Sequence, residues 1–312
     1  MDAQQTRQGI VFALGAYFIW GIAPVYFKLL EHVPPNEILT HRIIWSFFFM
    51  LILLTLSRKW RQVRYACRNV KHLLLLALTA VLIGGNWLLY IWAVNNHHML
   101  EASLGYFINP LVNVMLGMLF LGERFRRLQW FAVLLAVVGV LVQLWTFGSL
   151  PVIALGLAFS FALYGLLRKK IGIDGQTGMM IETLWMLPMA VIYLFFIADT
   201  PSSHMTENAW SLNLLLIFAG IITTVPLLLF TAAALRLRLS TLGFFQYLGP
   251  TMVFLLAVTF YDETFGDDKL ITFAFIWSAL ALFILDALYT QRKLRRARIT
   301  NPEGNAANTR AT

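Results

Sequence analysis

The sequence predicts an all-α integral membrane protein: ten transmembrane helices in two inverted five-helix repeats, with N- and C-termini cytoplasmic. Three observations carry this expectation. The composition is too poor in charge to solvate a globular surface, ten apolar runs are long enough to cross a bilayer, and one of those runs is written twice. Of 312 residues, 59% are hydrophobic and 12% charged, with a mean hydropathy of +0.72; soluble domains carry about 25% charged residues. The net charge of +9 would serve a polyanion only if the cations gathered on one accessible surface. They sit instead in short loops between apolar runs, so membrane lipid replaces nucleic acid as the expected partner. Cys67 is the one cysteine, which leaves no intramolecular disulfide and no thiol metal pattern.

The apolar runs cover about 9–30, 38–56, 73–93, 103–121, 128–147, 152–168, 178–198, 212–232, 242–261 and 270–289. Each approaches the roughly 20 residues that span a ~30 Å hydrocarbon core. The first lacks the shorter apolar core and small-residue cleavage site of a signal peptide, and is read as a membrane helix. Loop charge then sets the orientation. With the N-terminus inside, the even-numbered loops and the tail should be basic, and they are: Arg58 to Lys71, Arg124 to Arg127, Arg168 to Lys170, Arg236 with Arg238, and Arg292 onward. With Arg7, that places 21 of 24 basic residues inside, leaving Lys28, Arg42 and Lys269.

The duplicated run is EASLGYFINPLVNVMLGMLFLGERF from Glu101, answered by STLGFFQYLGPTMVFLLAVTFYDETF from Ser240. Pro110, Glu123 and Phe125 recur as Pro250, Glu263 and Phe265 at a shift of 140 residues. Five spans per unit is an odd number, so the two units must cross the bilayer in opposite senses. The expected organisation is a first repeat over 1–147, a second over 148–290, and a tail over 291–312 that is basic and then disordered.

Helix-breaking residues inside lipid survive where neighbours or a cavity compensate. Pro110 and Pro250 are therefore candidate hinges, with a static packing kink as the alternative. Tyr106, Asn109 and Asn113 share one face of the fourth span, with Gln246 on the corresponding face of the ninth. Asn86 and Tyr90 lie one turn apart in the third span, beside Gly84 and Gly85, which would let another backbone approach. These polar groups are candidates either for substrate contact or for interhelical glue. Trp20, Trp87, Tyr164 and Tyr247 are candidates for an aromatic wall, or for plain packing.

Ionisable groups within spans mark function by default. His41, Arg42 and Glu182 are the candidates for ion or proton coupling. Arg42 has two possible partners, Glu37 or an anionic substrate, and Asp286 is expected to pair with Arg292 or Lys293. No phosphate-binding loop, nucleophile triad or zincin spacing is present, and no metal or cofactor is expected.

Four stretches carry a resemblance: AYFIWGIAPVYFK from Ala16, EILTHRIIWSFF from Glu37, GGNWLLYIWAVNNHHMLEASLGYFINPLVN from Gly84 and RLRLSTLGFFQYLGPT from Arg236. They resemble the EamA group of the drug/metabolite transporter superfamily over nearly the whole chain to Arg292. The resemblance implies ten helices in two EamA-type repeats. It also implies a bacterial inner-membrane permease that exports or exchanges small metabolites or drugs, chloramphenicol among the candidates. Tyr261-Asp262-Glu263-Thr264 replaces Leu121-Gly122-Glu123-Arg124 in the second copy, so the basic partner of the glutamate is lost. The leading expectation is a secondary transporter, not an enzyme. A membrane-embedded lipid enzyme would need convergent acids or histidines at one face, and a sensor or receptor would need an output domain; the sequence offers neither.

Overall fold

A computed structural model describes residues 3–198, 200–260 and 266–300. The described residues form α1 (Ala3–Lys28), α2 (Pro35–Ser57), α3 (Trp60–Arg68), α4 (Val70–Asn95), α5 (Met99–Leu121), α6 (Arg127–Phe147), α7 (Val152–Ile171), α8 (Gly175–Phe196), α9 (Trp210–Arg236), α10 (Leu239–Gln246), α11 (Leu248–Phe260) and α12 (Asp267–Thr300). Ten spans have membrane-crossing length and apolarity, with α10 and the start of α11 together making the ninth. The expected Glu263 and the tail from residue 301 lie outside the described residues.

Local chemistry sets the boundaries. Pro35 opens α2, where its missing N–H costs nothing. Asn69 caps α4 by accepting from the amides of Lys71 and His72, and Asp174 caps α8 by accepting from Thr177. α5 and α7 stop at Gly122 (φ 64°) and Gly172 (φ 68°), left-handed positions that a side chain would strain.

The two symmetric prolines behave differently. Pro110 sits inside the continuous α5, whereas the ninth span breaks at Tyr247 between α10 and α11. Pro250 has no N–H to give the carbonyl of Gln246, which places the interruption in that turn.

The described helices fall into two compact units. One holds α1–α5 and α7–α11, and the other holds α6 and α12. Within the first unit the sequence halves interleave: α1 packs on α9, α5 on α7, α4 on α7 and α8, and α2 on α8 and α9. Compactness therefore divides the chain otherwise than the 1–147 and 148–290 halves do. The tightest approach to another helix's backbone is at Gly220 of α9, where a Cβ would fall 2.4 Å from the Trp45 carbonyl carbon. Ser46 donates its hydroxyl to the Gly220 carbonyl across that contact. The pair expected to admit a backbone does less. Gly84 faces only the side chain of Met186, and a Cβ on Gly85 would meet nothing within 4 Å.

In the second unit Gly139 lies against the Thr272 carbonyl and Phe275, and Gln143 donates to Thr272 at 2.9 Å. Asp286 accepts from Arg126 at 2.5 Å. That cation lies 160 residues away in sequence, and the side chains of the expected partners Arg292 and Lys293 lie outside the described residues.

α3 was not expected. Val63 and Ala66 bury one face of it, while Arg61, Arg64, Tyr65 and Arg68 stay exposed. An amphipathic turn of this kind suits a bilayer surface rather than a free loop.

Candidate functional site

α2 carries Arg42 two turns in, seven residues past Pro35 and so about 10 Å into the helix. Its Nε donates to Thr223 of α9 at 2.8 Å. The guanidinium lies 4.7 Å from the Trp87 ring of α4 and 5.5 Å from the Phe27 ring of α1. Tyr26, Tyr90 and Tyr106 are the titratable groups that act on it. Among the described residues no carboxylate pairs with it. The expected partner Glu37 accepts instead from the hydroxyls of Thr200 and Ser202. Cation–π contacts recover about 0.5–2 kcal/mol each, far less than a charge loses on leaving water.

Tyr106, which acts on the same charge, stands at an opening in the packing. It keeps 48% of its surface accessible beside a guanidinium that is itself only partly buried, which is how the wall of a recess looks. Tyr90 meets it edge-on, with ring centroids 6.3 Å apart. Arg42, Trp87, Tyr90 and Tyr106 thus converge from α2, α4 and α5.

A second aromatic group lies on the same helix faces. Trp20 sits 5.8 Å from Phe161 and 5.9 Å from Phe230, and Tyr164 stacks on Phe230 at 6.1 Å. Trp20 and Phe27 are seven residues apart on α1, as are Thr223 and Phe230 on α9. That spacing returns to one helix face two turns, or roughly 10 Å, along. Of the residues expected to form an aromatic wall, Trp20 and Tyr164 therefore share this cluster, and Trp87 belongs to the group at Arg42 two turns along the same faces of α1 and α9. Tyr247 is separate: it is buried, and its hydroxyl donates to the Phe107 carbonyl at 3.2 Å.

The amides are committed to neighbouring helices in this conformation. Asn86 donates to Ser160 at 2.8 Å and to the Leu157 carbonyl at 2.9 Å. Asn109 donates to the Ala158 carbonyl at 2.6 Å, and Asn113 donates to Asn109 and to Gln246. They tie α4 and α5 to α7 and α10, each such bond worth about 1 kcal/mol.

Glu182 lies seven residues into α8, fully buried, and it has a partner the sequence reading missed. Arg168 of α7, equally buried, stands 3.6 Å from its carboxylate, and Thr79 of α4 donates to the same oxygen at 2.6 Å. Arg168 looked like the first of three loop cations, but α7 runs on to Ile171 and carries it inside. Gly178 makes room, since a Cβ there would fall 1.8 Å from Arg168 Nη1. A glycine opposite a basic residue, one turn before a span glutamate, was the available signal. His41 is buried, and neither ring nitrogen has a hydrogen-bond partner among the described residues. Among the described residues no cluster of three acidic, His or Cys side chains could hold a metal ion.

Comparison with known proteins places this architecture. The description "EamA-like transporter family" matches residues 7–145. The chain is 74% identical to Protein RarD of Salmonella typhimurium, over 94% of this chain and all of that one. It is 59% identical to an uncharacterized transporter of Vibrio cholerae, over 95% of this chain and 98% of the relative. A solved crystal structure at 16% identity shares the fold, with a TM-score of 0.69 over 90% of this chain and 98% of its own. The ten spans, the interleaved halves and this similarity across nearly the full length agree: the chain is a multi-pass membrane protein belonging to the EamA transporter family.

Proposed function

We propose that the chain is a secondary transporter of the bacterial inner membrane that moves small metabolites or drugs by alternating access. Two inverted five-helix repeats, with both termini cytoplasmic, rock around the recess at Arg42. The observation that carries this reading is the recess itself: a partly buried cationic head inside a membrane domain, beside Trp87, Tyr90 and Tyr106. The helix pairing supports the repeat. α1 against α9 is matched by α7 against α4, and α2 against α9 by α8 against α4. Arg42 and Glu182 are each the eighth residue of their helix, 140 residues apart. Each reaches a threonine across its interface, Thr223 or Thr79.

Opening at the Glu182 end requires Arg168 and Glu182 to part or to move as one body, which makes that pair the candidate gate. Pro110 and Pro250 are the hinge candidates, and the broken ninth span is where bending costs fewest hydrogen bonds. Proton coupling is assigned to Glu182 or His41. The test is uptake of a metabolite panel and chloramphenicol into inside-out vesicles, with the pH gradient imposed or collapsed. A solute accumulating only with protein and gradient supports proton-coupled export, and no protein-dependent movement of any solute sinks the reading. Glu182→Gln or His41→Gln should abolish the gradient dependence if that residue carries the proton.

A further inference from the structure

We infer that the recess at Arg42 selects organic anions with a flat apolar body. Its guanidinium takes the carboxylate, sulfonate or phosphonate, and Trp87, Tyr90 and Tyr106 take the ring. The inference deepens the transport reading, since it rests on this recess being the substrate site.

A guanidinium offers five N–H donors in a planar fork, matched to two oxygens of one anionic group. Arg42 uses only Nε, on Thr223. That bond anchors the stem and leaves both terminal amino groups without a partner among the described residues. The groups facing the charge are phenols and rings rather than acids. Phe27 and Tyr26 come from α1, Trp87 and Tyr90 from α4, Tyr106 from α5 and Thr223 from α9. Tyr26 is itself committed, donating to the Leu215 carbonyl at 2.6 Å. The charge therefore lacks a counter-ion in a place where an unpaired charge is costly. Arg168, buried in α7, is not left so, because it has Glu182. An arginine held open at a recess is a seat for an anion brought from outside, and repels cations of the same shape. The aromatic neighbours fix the rest of the ligand, since rings stack on one another and on the guanidinium plane.

The test uses the full-length protein in nanodiscs with labelled benzenesulfonate, whose charge does not titrate away. Benzenesulfonamide, phenyltrimethylammonium and chloride serve as neutral, cationic and inorganic competitors. Benzenesulfonate is expected to bind at least tenfold more tightly than any of the three. Arg42→Gln should erase the preference over the sulfonamide. Arg42→Lys, which keeps charge but loses the fork, should weaken binding several-fold while retaining the preference. Trp87→Ala should weaken the sulfonate and the sulfonamide alike. Equal competition by sulfonamide or by chloride overturns the inference, as does a folded Arg42→Gln protein that keeps the preference. Should Arg42→Gln fail to fold, the Arg42→Lys and competitor results decide alone. Flux in proteoliposomes separates the two claims. Arg42-dependent binding without movement of any solute leaves the anion seat standing and overturns transport through it. Movement of a neutral solute unaffected by Arg42→Gln, with no sulfonate binding, does the reverse.

Discussion

Arg42 and Arg168 are both carried inside membrane spans, and the molecule treats them in opposite ways. Arg168 is sealed: no surface is accessible, Glu182 stands 3.6 Å away, and the guanidinium lies on the Cα of Gly178. Arg42 is open, with one hydrogen bond to Thr223, two aromatic faces beside it and, among the described residues, no acid paired with it. A charge with its counter-ion built in is part of the scaffold or of a gate, because its partner is always present. A charge without one is stabilised only when something else arrives. The difference is set by which helix lies opposite. α8 supplies a glutamate to Arg168, whereas α9 supplies only a hydroxyl to Arg42.

The largest expected effect follows from that contrast. Glu182→Ala strands Arg168 in the interior and should destabilise the protein by about 3–5 kcal/mol, the usual consequence of removing one member of a buried pair. Replacing both members with apolar residues, Arg168→Met with Glu182→Leu, should recover most of the loss. Arg42→Gln removes no partner from any acid and should cost under about 1 kcal/mol. Thermal unfolding of the four proteins in one detergent checks all three statements. Equal destabilisation by Glu182→Ala and Arg42→Gln would erase the distinction between sealed and open.

Glycines sharpen the comparison at a smaller scale. Gly220→Ala sets a Cβ 2.4 Å from the Trp45 carbonyl carbon and 2.6 Å from the Ser46 nitrogen, which are backbone atoms that cannot rotate away. Gly178→Ala meets the Arg168 guanidinium at 1.8 Å, but the far end of a side chain can swing. Both belong to the overpacking class of about 1–3 kcal/mol, with Gly220 at the upper end. Gly178→Ala should add an effect on transport that Gly220→Ala lacks at equal stability, because it displaces one half of the candidate gate. Gly85→Ala is the control: nothing lies within 4 Å of the added carbon, and helix propensity should raise stability by up to about 1 kcal/mol. A loss there would mean that α4 is packed more tightly than described.

The spans were legible because lipid imposes both a length and a composition, and most agree with their helices to a few residues; α1 starts earlier, at Ala3, and α12 runs on to Thr300, because polar residues continue a helix beyond the apolar run that marks it. α3 was not, since its arginines looked like loop charge. Trp60, Val63 and Ala66 do recur every third residue, and that was the readable sign of a helix with one buried side. For the site, Arg42, Trp87, Tyr90 and Tyr106 were each singled out, but nothing in one dimension brings α2, α4 and α5 together. Asn86, Asn109 and Asn113 had two readings, and here their donors reach neighbouring helices. Arg168 was hidden by its sequence neighbours: Lys169 and Lys170 made it look like a loop residue. The alignment of Arg42 with Glu182 at a shift of 140 residues was visible in the sequence all along. In the proposed repeat those two positions correspond, and their opposite charges are a clue that the two ends of the site differ in kind.

The smallest effect concerns a third cation–carboxylate pair, which bounds the comparison from the solvent side. Lys59 donates to Asp174 at 2.9 Å, and the two side chains are 30% and 39% exposed. Partial burial pushes the Asp174 carboxyl up. Hydrogen bonds from Lys59 and from the Thr177 amide and hydroxyl, with the Lys59 charge, outweigh that and hold it below the ordinary value. A carboxylate depressed in the folded state stabilises fully above its unfolded pKa, near 3.9 for aspartate. That stability is lost as pH falls through the lower folded value. Solvent screens so exposed a pair, and the expected contribution is a few tenths of a kcal/mol. Asp174→Asn should therefore flatten a shallow acid-side slope in unfolding temperature between about pH 5 and pH 2, and added salt should flatten it in the wild type as well. A slope as steep as that expected from losing a buried pair, or parallel profiles for the two proteins, would show that exposure does not rank these pairs. The sealed-versus-open distinction between Arg168 and Arg42 would then need another physical basis.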